Sequence, residues 1–307
     1  MSSKTRHIFT WRSIDAALLT DVTELAARVA RFLALPHRRE PETASVAHGP
    51  DQPETVAALA DGTGGWRIDG EGWHLETRDA DQMLFMVLEG LGHIFVTADA
   101  GTVLHAGAIA MPGPEGSRAC VFYGAPHCGK TTLAHTAWHA GYKVIGDDRV
   151  VFEEAMDKAS SSVAPFPKCL KLRIDPSSLS AAAGVAAAAG VAPDMQARGA
   201  LGTDHRLILA RSLDGFASYE EDLPIGLLCH LVRSTRTALI PLSPEDALHS
   251  TLGNIASEDF DAMGLVRLIK RQGDMGALFQ LSIAPNGSTD ALDLLDAALA
   301  ETRGHAG

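Results

Sequence analysis

Arg118-Ala119-Cys120-Val121-Phe122-Tyr123-Gly124-Ala125-Pro126-His127-Cys128-Gly129-Lys130-Thr131-Thr132-Leu133 is the stretch on which the reading of this chain turns. Arg118 to Tyr123 is an apolar run that reads as a strand, and Thr131 to Ala140 reads as a helix closed by Gly141. Between them, Gly124 to Thr131 matches G-x-x-x-x-G-K-[ST] in full. In an average composition that pattern arises by chance in roughly one chain in a hundred of this length. A strand before it and a helix after it are the setting the pattern requires. The residue types dictate the chemistry. Gly124 and Gly129 allow the backbone to turn its N–H groups toward phosphate oxygens, and the helix start adds the positive end of its dipole. Lys130 supplies a point charge for the β and γ phosphates, and the Thr131 hydroxyl is placed to ligate Mg²⁺. Ala125, Pro126, His127 and Cys128 complete the loop, the last two as loop-filling side chains rather than catalytic or redox groups. Thr132 adjoins the loop as a helix residue. The expected ligand is ATP with Mg²⁺.

Working downstream, Lys143-Val144-Ile145 starts a strand that delivers Asp147-Asp148 at its end, seventeen residues beyond Lys130. A carboxylate there can hold Mg²⁺ or accept the proton of an acceptor hydroxyl, and two adjacent acids can divide these tasks. Upstream, Val103 to Ala110 is a strand candidate carrying His105 toward the loop. A lone histidine is more often structural, and only its company makes it a site candidate.

The rest of the chain is read more coarsely. Leu18, Leu19, Val22, Leu25, Ala26, Val29 and Phe32 have helical spacing and predict a helix from about Trp11 to Ala34. The polar stretch from Pro36 to about Glu54 reads as a mobile loop. Asp69-Gly70-Glu71-Gly72 between Trp66-Arg67-Ile68 and Trp73-His74-Leu75 predicts a hairpin, and Asp79 caps a helix bearing Met83 to Ile94. Val150 to Phe152 continues as strand, the polar patch from Asp157 to Ser162 reads as a turn, and the Ala/Gly segment Ser180 to Ala192 is a weak helix or a flexible insert. Ile225 to Arg233 and Thr237 to Leu242 are strands, Ser243-Pro244-Glu245-Asp246 starts a helix, and Asp290 to Leu299 is the last helix.

Bulk properties bound the function class. Hydrophobic residues make up 46% of the 307 and charged residues 21%, as in a soluble globular protein. No apolar run approaches a membrane span, and Lys4, Arg6 and Arg12 are not followed by a signal-peptide core, so a cytoplasmic protein without membrane attachment is expected. Four scattered cysteines without a C-x-x-C pair argue against a disulfide framework or structural zinc. A formal charge of −12 disfavours nucleic acid as partner.

Three stations together, Leu104-His105-Ala106-Gly107-Ala108-Ile109-Ala110, Gly124 to Leu133 and Gly141-Tyr142-Lys143-Val144-Ile145-Gly146-Asp147-Asp148, resemble the HPr kinase/phosphorylase superfamily. The closer likeness is to HPr kinase-related proteins encoded beside peptide-modification enzymes, including kinases of lasso-peptide precursors. Pro165 to Leu172 is similar to that group's Pro-rich segment, and Leu227 to Arg233 with Pro241 to Leu248 to its late strand and helix. The resemblance implies an α/β fold: a P-loop core of mixed sheet flanked by helices, HPr kinase/carboxykinase-like, over residues 101–307, with a smaller α+β region over 1–100. It also implies Asp147 as general base, Asp148 at the metal or sharing that task, and His105 in support of the pair. HPr kinases form rings, so a homo-oligomer is worth looking for. One station departs from the family. Where true HPr kinases carry Glu-x-Arg-Gly, this chain has Lys171-Leu172-Arg173-Ile174, a cation in place of a metal-binding carboxylate. HPr itself and the reverse phosphorolysis are therefore not expected, and Lys171 and Arg173 become candidate contacts to phosphate or acceptor.

The leading expectation is an ATP- and Mg²⁺-dependent kinase acting on a hydroxyl, with Ser of a peptide or protein as partner. The alternatives are a nucleotide-binding regulatory or assembly module without transfer activity, and a small-molecule kinase of the same fold.

Overall fold

The computed structural model describes residues 4–22, 24–33, 35, 37–40, 54–98, 102–113, 116–153, 161–166, 170–173, 195–198, 204–208, 221–256 and 260–302. The chain is mixed α/β, with mixed sheets and six helices among the described residues. It divides into two compact units: Met1–Asp99 with Pro167–Leu213, and Ala100–Phe166 with Asp214–Gly307. Segment 167–213 is thus grouped with the amino-terminal residues, whereas the sequence reading kept 101–307 together.

The first unit has a six-stranded sheet in the order β3-β1-β2-β4-β5-β6, formed by β1 (Thr5–Trp11), β2 (Ile14–Thr20), β3 (His37–Glu40), β4 (Thr55–Ala60), β5 (Trp66–Gly70) and β6 (Trp73–Thr77). Helices α1 (Leu25–Leu33) and α2 (Ala80–Ala98) belong to it. The helix expected from Trp11 to Ala34 is corrected: its first half is the second strand of a hairpin, and only Leu25–Leu33 is helical. Leu18, Leu19 and Val22 have helical spacing by coincidence. The stronger signal was Ile8-Phe9-Thr10-Trp11, rich in β-branched and aromatic residues, with Trp11 paired to Ile14 across a two-residue turn where Arg12 has φ 56°. The loop expected from Pro36 begins instead with β3, which pairs with β1, and 41–53 lie outside the described residues. The hairpin at Glu71-Gly72 and the Asp79 cap hold, the latter through bonds from the Asp81 and Gln82 amides at 2.8 and 3.1 Å.

The second unit carries the strands around the glycine loop: β7 (Thr102–Leu104), β8 (Ala106–Met111), β9 (Arg118–Tyr123), β10 (Lys143–Gly146), β11 (Val150–Glu153), β12 (Ser162–Ala164), with β16 (Leu223–Arg233), β17 (Ala238–Pro241) and β18 (Leu278–Ile283) later in the chain. Between them in sequence lie β13 (Leu170–Arg173), β14 (Met195–Arg198) and β15 (Asp204–Ile208), a three-stranded sheet of the first unit. The order β10-β8-β9-β16 continues through β18 to β17 and, at the start of the long β16, through β12 to β11 and β7. Its helices are α3 (Lys130–His139), α4 (Pro244–Leu252), α5 (Ala262–Asp274) and α6 (Ser288–Thr302). The core includes Ala106, Ala108, Val121, Tyr123, Ile145, Leu228, Leu265 and Leu268, all buried. Ser243 caps α4 as expected, accepting from the Asp246 amide at 3.1 Å, with Pro244 at the first helical position. The segment Ser180 to Ala192, the patch Asp157 to 160 and residues 167–169 of the Pro-rich segment lie outside the described residues.

Topology fixes what the sheet presents at one edge. Strands β9 and β10 both pair antiparallel with β8, which lies between them, so β9 and β10 run in the same direction. The end of β9, the end of β10 and the start of β8 therefore meet at one edge. Ala106 faces Tyr123 and Ala108 faces Gly146 in the register, so His105, Gly124 and Asp147 are neighbours there although the sequence separates them by up to forty-two positions.

Candidate functional site

The loop leaves β9 at Gly124, which has φ 156° and packs so closely that an added Cβ would lie 2.4 Å from the Leu231 carbonyl oxygen of β16. It turns through Ala125, Pro126 and His127, all exposed, and the Cys128 amide donates to the Ala125 carbonyl at 3.2 Å. His127 takes a left-handed conformation (φ 67°), uncommon for a residue with a side chain. Gly129, at φ 113°, starts α3 without a side-chain cap, leaving its first amides directed out of the helix end. Cys128 is buried and Thr132 is exposed.

Lys130 is only 7% exposed, yet its ammonium is satisfied by the loop itself: Nζ donates to the Gly124 carbonyl at 2.7 Å and to the Ala125 carbonyl at 3.2 Å. The loop thus holds a buried charge on two backbone dipoles, which makes the burial tolerable. Thr131, the next residue, donates its hydroxyl to Asp147 Oδ1 at 3.0 Å. Asp147 is 1% exposed at the end of β10.

Asp148 follows in a left-handed conformation (φ 76°), so the chain reverses between the two acids and sends them to different partners. Its Oδ1 lies 3.2 Å from Nδ1 of His105. His105 sits in the break between β7 and β8, its amide donating to the Asn254 carbonyl at 2.7 Å. The structure therefore gathers Lys130, Thr131, Asp147, Asp148 and His105 in one unit, and pairs Thr131 with Asp147 and His105 with Asp148. Lys171 and Arg173 are not among the residues gathered in that unit. They lie on β13 of the other unit, where only the strand pairing is described.

Two features at this edge were not singled out in the sequence. Arg149 immediately follows the acidic pair, and its Nη1 is buried without a hydrogen-bond partner among the described residues. His230, near the end of β16, stacks on Tyr123 with ring centroids 5.4 Å apart and planes at 17°, while Tyr123 Oη lies 3.0 Å from Ser250 Oγ. A cation directly after two acids at a strand end was a readable signal for Arg149. His230 had none, because its place depends on a strand pairing a hundred residues away.

The oxygen donors of Thr131 and Asp147 suit a hard cation such as Mg²⁺, which takes one or two protein ligands and fills its other positions with water and phosphate. Among the described residues no group of three or more His, Cys, Asp or Glu side chains is placed to hold a metal. No described helix is long and apolar enough to cross a membrane. No family model matches the chain, and a search of the curated proteins finds no match to it.

Proposed function

We propose that the chain is an HPr kinase-like P-loop phosphotransferase of the cytosol that moves the γ-phosphoryl group of ATP to a hydroxyl, with Ser of a peptide or protein as the favoured acceptor. The observation that carries the reading is the division of the acidic pair: one carboxylate on the loop threonine, its neighbour on a histidine. A module that only bound nucleotide would have use for the first pairing and none for the second.

The pairings favour an exchange of the roles that the resemblance implied. Asp147, hydrogen-bonded to Thr131, fits the metal side, where Mg²⁺ when bound would neutralise charge on the phosphate oxygens. Asp148 fits the acceptor side as general base. The acceptor oxygen forms a bond to the γ-phosphorus, the bond from that phosphorus to the β–γ bridging oxygen breaks, and the acceptor proton passes to Asp148. His105 positions the Asp148 carboxylate. Lys130 shifts its donors from the loop carbonyls to phosphate oxygens, exchanging one set of acceptors for another. Arg149 is the cation nearest the pair in sequence, and its unpaired nitrogen suits an anionic group better than it suits a protein interior.

Incubation with Mg²⁺-ATP and a panel of serine peptides, with product read by mass spectrometry, tests this reading. Asp148→Asn is expected to lower the transfer rate by about 10²–10⁴, the usual contribution of a positioned base, while nucleotide affinity stays near that of the wild type. Asp147→Asn is expected to raise the Mg²⁺ concentration required. Equal transfer by wild type and Asp148→Asn would remove the base assignment, and nucleotide binding without any product would favour the regulatory module.

A further inference from the structure

Helix α3 carries a second pair of chemically able side chains, beyond the turn that holds Thr131. His135 and His139 are four residues apart and so share one face of the helix. Their Nε2 atoms lie 3.3 Å apart, with ring centroids 4.5 Å apart and planes at 79°. A tetrahedral ion bound to imidazole nitrogens at about 2.0–2.1 Å spaces those nitrogens about 3.3–3.4 Å from one another. The two nitrogens thus stand at the spacing of adjacent ligands. His135 is 9% exposed and fixed in the packed side of α3, whereas His139 is exposed, so the pair is anchored at one ring and reachable at the other.

We propose that His135 and His139 form a two-ligand site for a borderline divalent transition metal, with Zn²⁺ as the expected occupant and water in the remaining positions. Two imidazoles select such ions over Mg²⁺, which prefers oxygen, so this site and the Thr131–Asp147 donors take different metals. Among the described residues the pair has no third His, Cys, Asp or Glu in its group. Its affinity therefore comes from chelation by two rings on one helix face, one of them held by burial. Bound metal cross-links two turns of the helix whose first turn carries Lys130 and Thr131, and stabilises the folded chain by mass action.

Trp138 provides a local reporter, its ring centroid 4.5 Å from that of His139 and 5.7 Å from that of His135. The full chain, stripped with a chelator and held in excess Mg²⁺, is titrated calorimetrically with Zn²⁺ beside His139→Ala. That substitution removes an exposed ring and leaves the buried one. The wild type is expected to bind one equivalent of Zn²⁺ that His139→Ala loses, or binds at least tenfold more weakly. Cu²⁺ is expected to quench an emission component that disappears in Trp138→Phe, with the quenching lost in His139→Ala. Identical Zn²⁺ stoichiometry and affinity in wild type and His139→Ala would overturn the proposal, and the pair would then be a neutral His–His hydrogen bond. Neither readout depends on phosphoryl transfer.

Discussion

Gly124 and Asp148 hold backbone conformations that most residues avoid, and both belong to the candidate site. At Gly124 the constraint is space as well as φ, because a methyl group would meet the Leu231 carbonyl at 2.4 Å, well inside contact distance. Gly124→Ala is therefore expected to lower stability by about 1–3 kcal/mol and to pull the loop off β16, measurable as a shift of the urea midpoint at unchanged slope. Arg149 works in the opposite sense. Its buried, unpaired Nη1 costs stability that Arg149→Met would recover, by about 1 kcal/mol in the nucleotide-free protein, read from the same unfolding curve. The residue types of the site were legible in the sequence, since Gly124 to Thr131 and Asp147-Asp148 are contiguous and their chemistry is local. Which acid takes which partner was not. That depends on a single φ value at Asp148 and on the pairings of β10 with β8 and of β11 with β7 that bring His105 alongside.

At the level of elements, α3 joins the glycine loop to the histidine pair. Burial is the main cause that pulls His135 from the ordinary 6.5 to about 4, with the charge on His139 adding to it, and burial lowers His139 as well. The sign follows from linkage. A histidine depressed in the folded state is neutral there, so the unfolded chain binds the extra proton. Stability is fully present above pH 6.5 and is lost as pH falls through that value toward 4. The loss from His135 is at most about 3–4 kcal/mol, since a tenfold change in proton affinity corresponds to about 1.4 kcal/mol. In chelator-containing buffer, the wild type is expected to lose more stability between pH 6.5 and 4 than His135→Gln does, by urea unfolding. Equal losses would mean that His135 is solvated. Elements were legible where a local signal marks them, as at the Glu71-Gly72 hairpin, the Asp79 and Ser243 caps and the strand before the loop. They were misread where the local pattern was ambiguous, as in β2, whose leucines happen to fall at helical spacing, and they went unassigned in β4, α5 and β18. Strand β18 is set by parallel pairing with β16, Leu228 to Leu278 onward, a non-local contact that no window of sequence displays.

For the whole molecule, the α/β class was readable, whereas the grouping of 167–213 with the amino-terminal residues was not, because contacts rather than sequence order define a unit. All residues assigned to phosphoryl transfer belong to the unit formed by 100–166 and 214–307. The net charge of −12 does not oppose the nucleotide proposed for this unit, because Lys130 and the amides at the start of α3 are local donors. Every assigned role rests on the loop holding a nucleoside triphosphate. Calorimetric titration of the full chain with a non-hydrolysable ATP analogue tests that directly, with and without Mg²⁺, for wild type, Lys130→Met and Thr131→Val. One Mg²⁺-dependent equivalent is expected for the wild type. Binding should weaken at least tenfold in Lys130→Met, and Thr131→Val should lose most of the Mg²⁺ dependence. No binding by the wild type, or equal binding by all three proteins, would contradict the account.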